Sequence, residues 1–341
     1  MIKPEDILKV TLEVRRELGY HTVSTPNILS VRLDEEEDKM YILCGDRPDR
    51  AVLMGPGGRV LVELMKRLNV KVIVVRTLTD ILVRAERIRQ ALDSARKLLD
   101  EVSSSNVRKL LKERLIPIAE EELKDPIKRR IPKFEDLDVD VAVAFSGGVD
   151  SAATLVYAKM LGLHVTSITV YPGPFIIPEH AERVVKEFTE KVGVDCVFVK
   201  PTSSFDNIIS KAMAGHIMPC KRCHEIVERT VYDEVSRRNI EVVFFGDMLP
   251  TGCHSIRRIN DIIRVNLPAF LALTKTDTII ISKQHGYPDV KLKYGCPLLR
   301  VVLKRHKHLR LAAIQRVLRE ARAGVLEPNQ ALKLIKSVIA L

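Results

Sequence analysis

Two short stretches of the 341-residue chain hold side chains that can do chemistry. Cys220 and Cys223 form a C-x-x-C pair, whose thiols could form a disulfide, hold a metal or react as a redox pair. The other stretch is S-G-G-V-D-S at 146–151, between an apolar run typical of a buried strand and a run with helical periodicity. Its glycines permit a tight turn where backbone amides can meet an anion. The spacing therefore predicts a phosphate-binding loop at a helix N-terminus.

The other side chains of this loop also suit a bound nucleotide. Ser146 and Ser151 add hydroxyl donors to the backbone amides. Asp150 cannot bind phosphate directly, because both groups are anionic, so we expect it to act through Mg²⁺. The loop is not a Walker loop, which ends in Gly-Lys-Ser/Thr, and it lacks the first glycine of a G-x-S-x-G nucleophile elbow.

The hexapeptide S-G-G-x-D-S after the first strand of its domain resembles the loop of the PP-loop ATP pyrophosphatases. The resemblance implies that the protein adenylates a substrate oxygen and releases pyrophosphate, after which a nucleophile displaces AMP. It also implies a set of ATP-binding residues from the loop and from the ends of the second and fourth strands: Ser146, Gly147, Gly148, Asp150, Ser151, Val170 and Gly246. Members of the family act on many substrates, so the substrate stays open.

The cysteines are similar to those of a sulfur-inserting branch of this family, the iron–sulfur-dependent tRNA thiouridine synthetases. That branch has a C-x-x-C after the third strand and one distant cysteine, which here correspond to Cys220, Cys223 and Cys296. The resemblance implies that these three bind a [4Fe–4S] cluster, leaving one iron free to hold a sulfide that attacks the adenylated base. Cys220 and Cys223 are on this hypothesis catalytic as well as ligands.

Three other interpretations of the cysteines stay open. Structural Zn²⁺ wants four ligands, and a fourth could come from His224, Cys253 or His254. A metal-free persulfide pair and a set of inert thiols are the other two. Cys44 and Cys196 lie on predicted strands, where we expect them to be core residues.

The chain departs from the thiolating relatives after the fourth predicted strand. Those enzymes have a Gly-His stretch and an acidic pair there, whereas this chain has Gly246 followed by Asp247. We expect Asp247 to replace the histidine as an acid/base or Mg²⁺-binding group, with a solvated loop residue as the alternative. The identity of the modified nucleotide cannot be carried over from the family.

A glycine loop in the first segment predicts a second function. The stretch G-P-G-G at 55–58 joins two predicted helices between two strands, with a further helix and strand in front. This order resembles the KH RNA-binding domain, whose G-x-x-G loop clamps single-stranded RNA. The resemblance implies RNA contacts by Gly55, Gly57, Gly58, Arg59, Lys66 and Arg67. The alternative is a KH-like fold kept for packing, which the near-neutral charge of residues 1–78 favours.

The periodicity of apolar residues predicts an α/β protein with four parts. Residues 1–78 form the KH-like α+β domain and 79–136 a helical linker that ends in the proline-rich stretch near 124–138. From 137 to 304, strands alternate with helices, which is typical of a doubly wound parallel sheet. Residues 305–341 form a basic helical tail.

Charge and hydropathy limit the class of protein. The net charge is +11, and residues 305–341 hold eight Lys or Arg against two Glu. Such a tail favours a nucleic-acid partner, with a solvated helix face as the alternative. No apolar run approaches 18 residues and the N-terminus lacks a signal-peptide pattern, so we expect a cytoplasmic protein with no membrane partner. The oligomeric state is left open, a homodimer included.

Together these features predict an ATP-dependent tRNA-modifying enzyme. It would adenylate a base carbonyl and insert sulfur from a donor that the sequence does not identify. Two other functions fit the same residues. One is a PP-loop ligase that adenylates a small molecule while the cysteines hold zinc. The other is a non-enzymatic RNA-binding protein that ATP switches.

Overall fold

The computed structural model describes residues 2–21, 24–35, 38–128, 134–174, 176–177, 179–289 and 294–341. Residues 129–133 of the predicted linker lie outside these ranges. The chain divides into two compact units, 1–86 with 121–130 and 87–120 with 131–341. The predicted linker is thus shared between the units, and the C-terminal basic helices belong to the second.

The first unit has the element order that the sequence predicts. Its elements are α1 (Pro4–Glu17), β1 (Ile28–Asp34), β2 (Lys39–Cys44), α2 (Arg47–Met54), a 3₁₀ turn (Pro56–Gly58), α3 (Arg59–Arg67) and β3 (Val72–Thr77). Strand β2 lies in the middle of the sheet, antiparallel to β1 and parallel to β3. The core packs α1 and α3 against the sheet through Ile7, Leu64 and Ile42.

Helices follow β3 and lead into the second unit. They are α4 (Leu78–Glu101), α5 (Ser105–Leu110), a π-helical turn (Leu111–Leu115) and α6 (Ile116–Lys124). A break between α4 and α5 falls in the serine run at 103–105, and Ser104 caps α5 by accepting a hydrogen bond from the amide of Val107.

The second unit is built on a six-stranded sheet. Its strands are β4 (Leu137–Ala144), β5 (Leu163–Val170), β6 (Asp195–Val199), β7 (Val242–Phe245), β8 (Ile256–Ile259) and β9 (Ile262–Asn266). Its helices are α7 (Val149–Met160), α8 (Glu179–Val192), α9 (Asp206–Met213), α10 (Cys220–Arg237), α11 (Leu267–Phe270), α12 (Lys275–Gln284), α13 (Pro297–Arg305), α14 (Arg310–Arg322) and α15 (Pro328–Ile339).

The strand order is β6-β5-β4-β7-β9-β8, and all neighbours are parallel except the edge pair β8 and β9. The expectation of a wholly parallel sheet is corrected at this edge, where β8 and β9 were not predicted. They form a hairpin around Asn260, which adopts a left-handed φ of 53°. From β4 the chain adds β5 and β6 on one side of the sheet and then returns to add β7 on the other side. The carboxyl ends of β4 and β7 are therefore the switch point where doubly wound sheets bind ligands.

None of the helices described in the chain is both long and apolar enough to cross a membrane.

Candidate nucleotide and cysteine site

The S-G-G-V-D-S stretch forms a tight loop between β4 and α7. Gly147 adopts a φ of +73°, a conformation that favours glycine, and Gly148 is the N-cap residue of α7. Ser151 fixes the loop from inside the helix, because its hydroxyl donates to the carbonyl of Gly148 at 3.0 Å and lies 3.3 Å from the hydroxyl of Ser146. Ser146 and Gly148 are exposed, so the loop can meet a ligand.

Gly246 lies where the end of β7 meets the first turn of α7. A Cβ atom built at Gly246 would be 2.6 Å from the amide nitrogen of Ser151, so any side chain here would displace the backbone of the loop. Val170, the other predicted ATP-binding residue from a strand end, is buried at the end of β5. The predicted residues of the ATP site therefore come from adjacent parallel strands.

Asp150 is held by two residues of α12 that the sequence analysis missed. The ammonium of Lys275 donates to Oδ2 at 2.7 Å, and the hydroxyl of Thr278 donates to Oδ1 at 2.8 Å. Just after the end of α12, the hydroxyl of Tyr287 donates to the carbonyl of Gly147. Carboxylate oxygens suit Mg²⁺, but both oxygens of Asp150 already accept hydrogen bonds from protein groups.

The three cysteines of the predicted metal site come from the N-termini of two helices. Cys220 is the first residue of α10 and Cys223 lies in its first turn, while Cys296 is the N-cap residue of α13 and accepts a hydrogen bond from the amide of Leu299 at 3.5 Å. Cys220 and Cys296 pack against one apolar cluster that includes Leu299 and Leu303. Helix N-termini favour negative charge, and therefore thiolate ligands.

Burial and neighbouring groups shift the pKa values of Cys220 and Cys223. Burial and the neighbouring thiols raise the pKa of Cys223 to about 12. Burial likewise raises the pKa of Cys220, against the opposing charge of Arg316. The sulfurs of Cys220, Cys223 and Cys296 do not form a group whose members all lie within 4.8 Å of one another. Four sulfurs on one zinc at 2.3 Å would be about 3.8 Å apart, so the described thiols are not arranged around a single ion.

Arg316 of α14 completes the surroundings of Cys220. Its positive charge acts to lower the pKa of the Cys220 thiol, against the effect of burial, and its Nε donates to Oε1 of Glu320 at 3.2 Å. The hydroxyl of Tyr294, which packs on the same cluster as Cys220, is buried with no hydrogen-bond partner. A buried polar atom without a partner beside Cys220 and Cys296 fits a site that takes a further group.

Asp247 lies in a network of charges that joins β7, β9 and α10. Arg264 is buried on β9, and its Nη2 lies 2.6 Å from Oδ2 of Asp247, while its Nη1 pairs with Glu228. His224 Nε2 lies 3.0 Å from Glu228 and 3.7 Å from Asp247. Among the described residues, His224, Glu228 and Asp247 are the one group of three whose possible ligand atoms all lie within 4.8 Å of one another, but the Arg264 cation already pairs with both carboxylates.

The pKa values of this network follow from its ion pairs. Hydrogen bonds to Asp247 and Glu228 raise the pKa of His224 to about 9. Burial would raise the pKa of Glu228, but the hydrogen bond from His224 and the charge of Arg264 outweigh it and lower that pKa to about 2. The same two partners hold the pKa of Asp247 below its usual range in spite of its burial. Asp247 is therefore ionised and paired.

The glycine loop of the first unit lies between α2 and α3. Gly57 is exposed, and a Cβ atom added at Gly57 or Gly58 would have no atom within 4 Å. Gly55 instead packs on Val60. Arg59 is exposed at the start of α3, whereas Lys66 pairs with Glu63 at 3.1 Å and Arg67 with Glu17.

The remaining cysteines lie apart from the three-cysteine site. Cys44 is buried in the core of the first unit, where burial raises its pKa to about 11. Cys196 is half-buried on β6, and Cys253 is exposed after β7. All six cysteines are free thiols.

Comparisons with known proteins show one relative by sequence. An uncharacterized protein of Methanocaldococcus jannaschii is 31% identical over 259 residues, which span 71% of this chain and 97% of that protein. No protein-family model matches the chain. Among solved structures, the U34-tRNA thiolase NcsA of Methanococcus maripaludis, solved with its [4Fe-4S] cluster, matches 60% of this chain and 72% of its own at 16% identity and a TM-score of 0.34. A structural likeness of that extent assigns no function.

Proposed function

Since the chain belongs to the family of the uncharacterized Methanocaldococcus jannaschii protein, which has no assigned activity, we propose its function from the site itself. The protein is an ATP-dependent RNA-modifying enzyme that thiolates tRNA. It adenylates a base carbonyl at the S-G-G-V-D-S loop and receives sulfur at Cys220, Cys223 and Cys296.

One observation supports this proposal above the others. Two adjacent residues, Gly246 and Asp247, connect the phosphate loop to the cysteine helix at the switch point of the sheet. Gly246 packs on the backbone of Ser151, and Asp247 lies 3.7 Å from His224, the residue next to Cys223. A nucleotide bound at the loop would therefore lie near the start of α10, and sulfur transfer to an adenylated base requires the two sites to be close.

The residues of the loop account for the first half of the reaction. Exposed amides and the hydroxyls of Ser146 and Ser151 would bind the phosphates, and the dipole of α7 would favour their negative charge. Mg²⁺ held by Asp150 and the phosphates would neutralise charge on the departing pyrophosphate.

The cysteines account for the second half. Cys220, Cys223 and Cys296 would hold a [4Fe–4S] cluster, which supplies the sulfide for the activated carbon when it is bound. The three sulfurs do not all lie within 4.8 Å of one another, and Arg316 supplies a cation beside them. These features and the unpartnered hydroxyl of Tyr294 support an anionic group larger than one metal ion. Tight packing of Cys296 under Leu299 fixes the third ligand.

RNA binding by the first unit is part of the same proposal. The exposed Gly57, the open space at Gly57 and Gly58 and the exposed Arg59 would let a single-stranded backbone approach the start of α3. The order of strands and helices around the loop supports a KH-like assignment for this unit.

Anaerobic purification tests the proposed function. We expect a brown protein with broad absorption near 400 nm and about four irons per chain, which loses colour in C220A and keeps it in the control C253A, because Cys253 lies on an exposed turn. Incubation with ATP, sulfide and unfractionated tRNA should then release pyrophosphate and form a thionucleoside. Stoichiometric zinc in a colourless protein, or pyrophosphate release that needs a small acid and no RNA, would refute the thiolase in favour of a ligase.

A further inference from the structure

The N-terminus of α12 reaches the phosphate loop across 125 residues of sequence. Lys275 and Thr278 lie one turn apart on α12, and between them they occupy both carboxylate oxygens of Asp150, at 2.7 and 2.8 Å. The side chain of Lys275 is only 17% exposed, so most of its length packs against protein. Helix α12 thus brings a positive charge to the second residue of α7.

The backbone of Lys275 is firmly anchored. Its amide donates to the carbonyl of Val325 at 2.8 Å, and a capping box formed by Thr274 and Asp277 fixes the start of α12. The neighbouring Thr276 accepts a hydrogen bond from Gln330 of α15 at 3.1 Å. The ammonium group, by contrast, lies at the end of a flexible four-carbon stem, so it can change partner without movement of the helix.

The chemistry of the loop calls for such a cation. The S-G-G-V-D-S stretch offers amides and hydroxyls but no Lys or Arg, whereas a triphosphate carries several negative charges. Among the ion pairs of the described residues, the pair formed by Lys275 is the one that involves the loop. Because Asp150 holds the ammonium against the first turn of α7, Lys275 is positioned before the nucleotide arrives.

We propose that Lys275 is a phosphate-binding residue of the ATP site, which Asp150 holds at the loop until the β- and γ-phosphates take over its ammonium group. The exchange frees an oxygen of Asp150 for Mg²⁺. This inference rests on the proposed function, because it takes the loop to be an ATP site.

Binding of nucleotides of different length tests the role of Lys275. Affinities for α,β-methylene-ATP and for AMP would be measured by calorimetry, with Mg²⁺, on the wild type, K275M, K275R and K283M. Lys283 is a suitable control because it is exposed at the far end of the same helix and pairs with Asp289. Loss of one charge-assisted hydrogen bond should weaken binding of the triphosphate about ten-fold or more in K275M.

The expected pattern separates a phosphate contact from a structural role. In K275M, AMP should bind within about two-fold of the wild type, K275R should recover most of the triphosphate affinity, and K283M should behave as the wild type. Equal losses for both nucleotides in K275M, or no loss for either, would overturn the assignment of Lys275 while leaving the ATP site intact. Failure of the wild type to bind either nucleotide would overturn the proposed function and this inference with it.

Discussion

The guanidinium of Arg264 lies 2.6 Å from the carboxylate of Asp247, and it is almost fully buried on β9 with its plane 4.1 Å from the ring centre of Phe245. The pair joins β9, an interior strand, to Asp247 in the loop after β7. Gly246, the residue before Asp247, packs on the phosphate loop. We therefore expect the Arg264–Asp247 ion pair to stabilise the carboxyl ends of β4 and β7, where the switch point lies.

Removal of the guanidinium should destabilise the second unit. In R264M, Asp247 and Glu228 keep their charges but lose their buried partner, which should cost about 3 kcal/mol of the free energy of unfolding. Urea unfolding followed by circular dichroism measures this loss. R257M is the matched control, since Arg257 is opposite Arg264 in the β8–β9 register but exposed, and it should change stability by no more than about 0.5 kcal/mol. Equal stability of the two variants would contradict the role of the network.

The low pKa of Glu228 makes part of the stability dependent on acid pH. Its pKa falls from 4.5 to about 2 on folding, so its stabilising contribution is complete above pH 4.5 and is lost as the pH falls toward 2. We expect the melting temperatures of the wild type and E228Q to differ most near pH 6 and to converge as the pH falls from about 4.5 toward 2. A difference that stays constant from pH 6 to pH 3 would show that Glu228 acts only through packing.

Arg316 should stabilise whatever anionic group the three cysteines hold. The R316M variant removes the cation beside Cys220, and loss of a group beside a metal ligand typically costs about 10–100-fold in affinity, so we expect binding at least about ten-fold weaker. Iron retained after a timed challenge with a chelator, under anaerobic conditions, measures the effect. R322M serves as the control because Arg322 is exposed on the same helix. Iron retention by R316M equal to that of R322M would refute this role.

RNA binding by the glycine loop of the first unit can be tested with variants that differ only in charge. Gly57 and Gly58 have φ values of 62° and 79°, which Asn and Asp tolerate better than other side chains, and an added Cβ atom meets nothing there. G57D/G58D should weaken binding of single-stranded RNA about ten-fold through repulsion of phosphate. G57N/G58N, with the same shape and no charge, should bind more tightly than the Asp variant in fluorescence anisotropy at fixed salt. Indistinguishable affinities of the two variants would argue against phosphate at this loop.

Local patterns predicted the elements that carry strong signals of their own. The S-G-G-V-D-S loop, the G-P-G-G loop and strands β4 to β7 were found because each depends on residues adjacent in sequence. The hairpin of β8 and β9 was missed because Arg257, Arg258 and Arg264 obscure its apolar alternation. Its turn, Asn260-Asp261, was the signal that could have revealed it.

Contacts between distant residues could not be predicted in the same way. Lys275 stands in the stretch L-T-K-T-D-T, which indicates only the start of a helix, and nothing local connects it to Asp150. The sequence around Arg264 does not distinguish it from an exposed charged residue on a strand. Its role depends on Glu228 of α10 and Asp247 after β7, which only the fold brings close. Cys296 could be grouped with Cys220 and Cys223 only through a resemblance, and Arg316 was interpreted as part of a basic tail.

The separation of the cysteines along the chain sets the order in which their site can mature. Cys220 and Cys223 begin α10, but Cys296 begins α13, and the cation beside Cys220 comes from α14 near the end of the chain. A ribosome must therefore synthesise every element from α10 to α14 before the third thiol and Arg316 can reach the first two. The residues of the nucleotide loop between β4 and α7 leave the ribosome earlier, so the three-cysteine site is assembled after the loop.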